Sequence, residues 1–90
     1  MDKKTKIAQI NKVIEEYFEN NQKVDKIPAM DLMPEFVKTG IFKKDYEREG
    51  LPIRILLREL DRTGRLGEIP SLYPERKITN TYWYFQRIKK

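Results

Sequence analysis

The sequence predicts a small α+β domain, three helices followed by a C-terminal β-hairpin, and three observations carry that prediction. Apolar residues recur at helical spacing in three separate stretches before residue 64. The second and third of these stretches each hold a proline near the start and a glycine just past the end. After Leu66 the apolar period shortens from 3.6 towards 2, with proline and polar residues marking a turn.

The first helix is read over residues 3–20. Ile7, Ile10, Ile14, Tyr17 and Phe18 fall at i, i+3, i+7, i+10 and i+11, with Val13 at the edge of the stripe, and lysines and glutamates fill the opposite face. "KVDKIPAM" follows as a short extended piece with Val24 and Ile27 as its apolar points, because a residue before proline avoids the helical region. A second helix is expected to begin near Asp31 as N-cap, with Pro34 in the first turn and Gly40 at C′. Met33, Phe36 and Val37 face inward in this reading, Met30 and Met33 fill core, and Ile41 and Phe42 extend the apolar surface.

"KKDYEREG" is a polar connection. "GLPIRILLRELDRTG" then forms the third helix, with Pro52 in its first turn and Gly64 beyond its last. Ile53, Leu56, Leu57 and Leu60 make its apolar stripe. At about 100° per residue Arg58 and Arg62 point away from that stripe, Arg54 sits on its flank and Ile55 is turned outward. "LGEIPSLY" and "KITNTYWYFQRI" are read as two strands joined through "YPERK", with Pro74 beginning the turn. The period of two separates Trp83 and Phe85 from Tyr82 and Tyr84. The more apolar pair is expected inside, against Ile7, Ile14 and the third-helix stripe. Ile78 and Ile88 share parity with the tyrosines, which leaves the opposite facing open.

Ninety residues and 10.9 kDa fit one domain spanning 1–90. The chain has no cysteine and no histidine, so thiolate chemistry, the commonest general base and the commonest metal ligand are all missing. Ser71 is the single serine, and no base accompanies it. The four glycines match no phosphate-cradling or dinucleotide pattern. No enzyme activity, cofactor or metal is therefore expected. No apolar run approaches bilayer length, so no membrane partner is expected, and the first residues lack the apolar stretch of a secretory signal, which points to the cytoplasm.

The charge is unevenly placed. Residues 1–50 carry ten basic and ten acidic side chains, whereas residues 51–90 carry nine against four, and nine minus four is the whole +5. Arginine is concentrated in that second part, Arg48 alone lying outside it. The planar guanidinium suits phosphates and guanine edges, so a nucleic-acid partner is favoured over a merely solvated surface.

The order helix, extended piece, helix, loop, helix, hairpin resembles the winged helix-turn-helix superfamily over roughly residues 5–88. The resemblance rests on "DLMPEFVKTGIF", "LPIRILLRELDRTGRL" and "YPERKITNTYWYF". The segment between second and third helices is longer than the tight turn of the basic motif. The resemblance implies a transcription-regulating, double-stranded-DNA-binding module whose third helix enters the major groove while the hairpin wing touches backbone or minor groove. Arg54, Arg58 and Arg62, recurring every four residues, are the candidate helix contacts, and Arg76 and Lys77 the candidate wing cations. Five or six such phosphate contacts predict a log–log salt slope of roughly −4 to −6. Two alternatives remain open at this stage. Glu59 and Asp61 lie within three residues of the arginines and offer ordinary surface pairs. Outward Ile55, Tyr82 and Tyr84 suit either a protein partner or, for the tyrosines, stacking with bases of single-stranded RNA or DNA.

Overall fold

Asp2 starts the first helix by accepting the Thr5 backbone N–H on its carboxylate at 2.8 Å, and this contact holds its pKa below the usual carboxylate range. Helix α1 then runs Lys3–Asn20 in the computed structural model, which describes residues 2–44 and 50–88. Ile7, Ile10, Val13, Ile14 and Phe18 are buried. Tyr17 is only half-buried and packs edge-to-face on Phe18 at 5.4 Å, so the buried stripe is centred nearer Val13 than the spacing suggested.

Strand β1 (Lys26–Pro28) leads into a 3₁₀ turn, Ala29–Leu32, and then helix α2 (Met33–Lys38). Asp31 lies inside that 3₁₀ turn; the residue at the N-cap of α2 is Leu32, which makes no side-chain cap. Met33 is buried, but Met30 is exposed, which corrects the expectation that both fill core. The backbone of Met30 instead lies against Gly50, the residue preceding helix α3 (Leu51–Arg62).

Helices α2 and α3 end in the same way. Gly40 N–H donates to the Val37 carbonyl and Ile41 N–H to Phe36, both about one turn back; Gly64 and Arg65 repeat this with Asp61 and Leu60. These are Schellman caps, and the positive φ of +81° and +73° explains the glycines. The polar connection before α3 falls largely on residues 45–49, outside the described residues, as do residues 89 and 90 of the basic tail.

A second 3₁₀ turn, Leu66–Glu68, precedes strands β2 (Leu72–Arg76) and β3 (Thr81–Gln86). The sheet is three-stranded and antiparallel in the order β1-β3-β2, so the C-terminal hairpin is not a separate element: β3 is its centre and β1 closes its other side. Ile27, Phe85 and Leu72 align across the three strands. Their row faces the helices, where Phe85 meets Phe36 edge-to-face at 6.2 Å. Trp83 and Phe85 are buried and join one core with residues of all three helices, which settles the facing of β3.

The hairpin turn lies further along the chain than "YPERK". All of those residues but Lys77 belong to β2, and Pro74 pairs with Trp83. Lys77 N–H donates to the Asn80 carbonyl and Gln86 N–H to Ser71, so hydrogen-bonded pairs alternate with open ones and Pro74 falls on an open one. On an edge strand a proline there loses no ladder bond. Ile78 and Thr79 form the tip.

Candidate functional site

The alternation along β2 decides where its cations go. Arg76 shares parity with Leu72 and Pro74 and is therefore directed to the helix side of the sheet. There it grips Asp61 of α3 with both guanidinium nitrogens, Nη2 to Oδ1 at 2.8 Å and Nη1 to Oδ2 at 3.0 Å. This bidentate pair holds the Asp61 pKa below its ordinary range and ties the hairpin to the last turn of α3.

Between α3 and the hairpin tip lies an open cleft of about 410 Å³. Arg58, Asp61 and Arg62 line its helix side, Lys77, Ile78, Thr79, Asn80 and Thr81 its hairpin side, and Trp83 also lines it. Neither helix acid forms an ion pair with these arginines, although the Arg62 charge contributes to lowering the Glu59 pKa. Glu59 pairs with Lys3 at the start of α1, a contact that lowers its protonation range, and Asp61 is taken by Arg76. Among the described residues Arg58 and Arg62 form no ion pair, and both side chains are exposed. Lys77 meets Glu75 at 3.0 Å, which raises its proton affinity, but both partners are wet and such a pair is weak.

Of the five candidate cations, three line one cleft, Arg58, Arg62 and Lys77, with the Lys77 ammonium turned to Glu75 on the outer face of the sheet. Arg76 is beside it but engaged with Asp61. Arg54 is half-buried on the flank of α3 and does not line the cleft. Ile55, 54% exposed, borders a different groove with Lys3, Lys6, Phe42, Pro52, Leu56 and Glu59.

The tyrosines lie on the outer face of the sheet, opposite the helices. Tyr84 pairs with Tyr73 across the strands, their ring centroids 6.5 Å apart, and the Lys26 ammonium lies 4.6 Å from each ring. Desolvation, with the Glu75 carboxylate beside it, raises the Tyr84 hydroxyl above its usual range. Tyr82 is half exposed further towards the tip.

Two residues escape the sequence reading. Ile78, at the tip, carries no polar group and no glycine marks its turn, so nothing local announces it. Arg87 looks like part of a basic tail but is structural: its guanidinium donates to the carbonyls of Phe18, Asn21 and Val24 at 2.8–2.9 Å and stacks 5.2 Å from the Phe18 ring. It caps the C-terminal end of α1, where carbonyls lack helical partners. No helix of the described residues is long and apolar enough to cross a membrane, and no group of three or more potential metal-ligating side chains is found among them. Comparison with family models, with curated proteins and with solved structures finds no match.

Proposed function

We propose that this chain is a binding module of winged-helix type that takes double-stranded DNA between the outer face of α3 and the tip of the β2–β3 hairpin. One observation carries the reading: Arg58 and Arg62 are left without ion-pair partners among the described residues, on the same cleft as Lys77. Two arginines without ion-pair partners on the helix and a weakly paired lysine at the hairpin tip supply cations for backbone phosphates. The element order helix, strand, helix, helix, strand, strand, with the last strand central, supports the architectural part of the reading. The helix would read base edges in the major groove, and the tip would contact the neighbouring backbone or minor groove.

The test is a salt titration of duplex binding. Three phosphate contacts from the cleft predict a log–log slope of about −2.7, shallower than the sequence alone suggests. Replacing Arg58 and Arg62 together with alanine is expected to reduce that slope by about 1.8 while moving stability by less than about 0.5 kcal/mol. Unchanged slope and affinity in the double variant would refute this use of α3.

A second reading has its own observation, the Tyr73–Tyr84 pair under Lys26 on the outer sheet face. Aromatic faces beside a cation suit single-stranded bases. A single-stranded oligonucleotide in the same titration decides between them. Silence towards both nucleic acids at about 50–100 mM salt would leave a protein partner, with Ile55 as the first residue to examine.

A further inference from the structure

Ile78 is the most exposed large apolar residue among those described, at 106% of its reference area, and it stands at the very tip of the hairpin. It contributes nothing to the core, and a tip position ordinarily favours glycine, asparagine or aspartate. Its neighbours are cationic or hydrogen-bonding: Lys77 before it, Thr79 and Asn80 after it. It lines the same cleft as Arg58 and Arg62. An apolar side chain held at the end of a two-stranded arm, with cations behind it, has the form of a wedge presented to a polyanion.

We propose that Ile78 enters a groove of the bound duplex and partly unstacks one base step, so that this protein bends the DNA it binds. The inference rests on the duplex-binding reading above. Phosphates held by Arg58 and Arg62 would fix α3 on one side of the cleft and leave the tip facing the adjacent groove. Branched apolar side chains that enter between base steps kink duplexes by roughly 20–90°. Pyrimidine–purine steps, TA above all, unstack most easily, so the preferred site holds such a step at the tip position. Thr79 and Asn80 supply hydroxyl and amide groups for the acceptors that line an A·T minor groove. The bidentate Arg76–Asp61 contact braces the hairpin against α3, which is what a wedge needs if insertion is to deform the DNA rather than the arm.

The experiment uses the full chain and two duplexes of about 20 base pairs, one with a central TA step and one with GC there, each carrying donor and acceptor dyes at its ends. Wild type is expected to shorten the end-to-end distance of the TA duplex and to favour it over the GC duplex. Ile78→Ser should lose the bend and most of that preference, weakening TA binding by roughly tenfold, while GC binding changes little. Ile78→Leu should keep the bend. Thermal melts of both variants should match wild type, because the side chain touches no core residue. The wedge is overturned if wild type binds without bending, or if Ile78→Ser bends the TA duplex equally. It is also overturned if Ile78→Ser instead abolishes self-association of the chain and leaves DNA bending intact. Failure of wild type to bind either duplex at about 50 mM salt sinks the duplex reading itself, and is separable from loss of bending alone.

Discussion

Arg87→Ala separates the cations that hold the fold from those available to a partner. In wild type the guanidinium donates to three main-chain carbonyls, those of Phe18, Asn21 and Val24, and its plane covers the Phe18 ring. A hydrogen bond with a charged partner is worth about 1.5–3 kcal/mol, the upper end requiring burial. The bonds to Phe18 and Val24 are partly buried and the one to Asn21 is exposed. Two contacts at the lower bound, with little from the third, amount to about 3 kcal/mol. For a domain of this size that is a fall in melting temperature of about 10–25 °C. Arg87→Lys should recover at most about half, since one ammonium cannot reproduce a fork that meets three acceptors. Melting followed by circular dichroism reads both values. The salt slope of duplex binding, measured below the melt, should be the same as in wild type. A melt of Arg87→Ala within about 2 °C of wild type would refute the capping role. A lost salt slope with an intact melt would make Arg87 a binding residue instead.

Gly50 and Gly40 both have positive φ, but a Cβ at Gly50 would lie 2.5 Å from the Met30 Cβ, whereas one at Gly40 meets nothing within 4 Å. Gly40→Ala should therefore cost only the left-handed backbone penalty of about 1 kcal/mol, and Gly50→Ala at least about 2 kcal/mol more, as an overpacked contact; equal denaturant midpoints for the two would contradict the close approach. The carboxylates of Glu59, Asp61, Glu68 and Glu75 are all held below their ordinary values, first of all by hydrogen bonds from Lys3, Arg76, Arg65 and Lys77 respectively. Groups so depressed stabilise the fold above their unfolded values, 4.5 for Glu and 3.8 for Asp, and lose that contribution as pH falls through the lower folded values. Stability should thus be level from neutral pH down to that range and decline below it. Asp61→Asn should flatten part of the decline, and an unchanged acid profile would show that the Arg76 contact is not formed in solution.

What the sequence discloses follows from how local each cause is. The caps at Gly40 and Gly64 and the first-turn places of Pro34 and Pro52 depend on residues within one turn and are read correctly from the chain, whereas the start expected at Asp31 falls in a 3₁₀ turn. The inward facing of Trp83 and Phe85 follows from a period of two once the strand is recognised. The pairing of Ile27 with Phe85 joins opposite ends of the chain, and a three-residue strand offers no pattern long enough to announce it. Proline at residue 74 resembles a turn signal and draws the expected turn towards it, while the true tip, Ile78–Thr79, contains no glycine or Asn-Gly pair. No described non-glycine residue has positive φ, so the tip does not use the primed turns whose composition is easily recognised. The role of Arg87 is not legible in the sequence for a similar reason: its acceptors are carbonyls, which every residue possesses.

The same distinction changes what the net charge means. The surplus of +5 lies in the second part of the chain, and the candidate cations there lead to an expected five or six phosphate contacts. Arg65 is held by Glu68, Arg76 by Asp61, and Arg87 by the end of α1. The Arg76 and Arg87 contacts make those two cations fasteners between segments, and on the proposed duplex-binding reading a fastener releases no counterion unless it first lets go. Arg58, Arg62 and Lys77 remain on one cleft, and they are brought together by the bracing of Arg76 on Asp61. The acid that seems to lie amid the basic helix face is therefore part of what aims it. Removing Asp61 would raise the net charge by one, yet on this geometry it would loosen the hairpin and weaken duplex binding rather than strengthen it. An increase in affinity for Asp61→Asn, at constant salt, would mean that charge alone governs the interaction and that the hairpin has no orienting role.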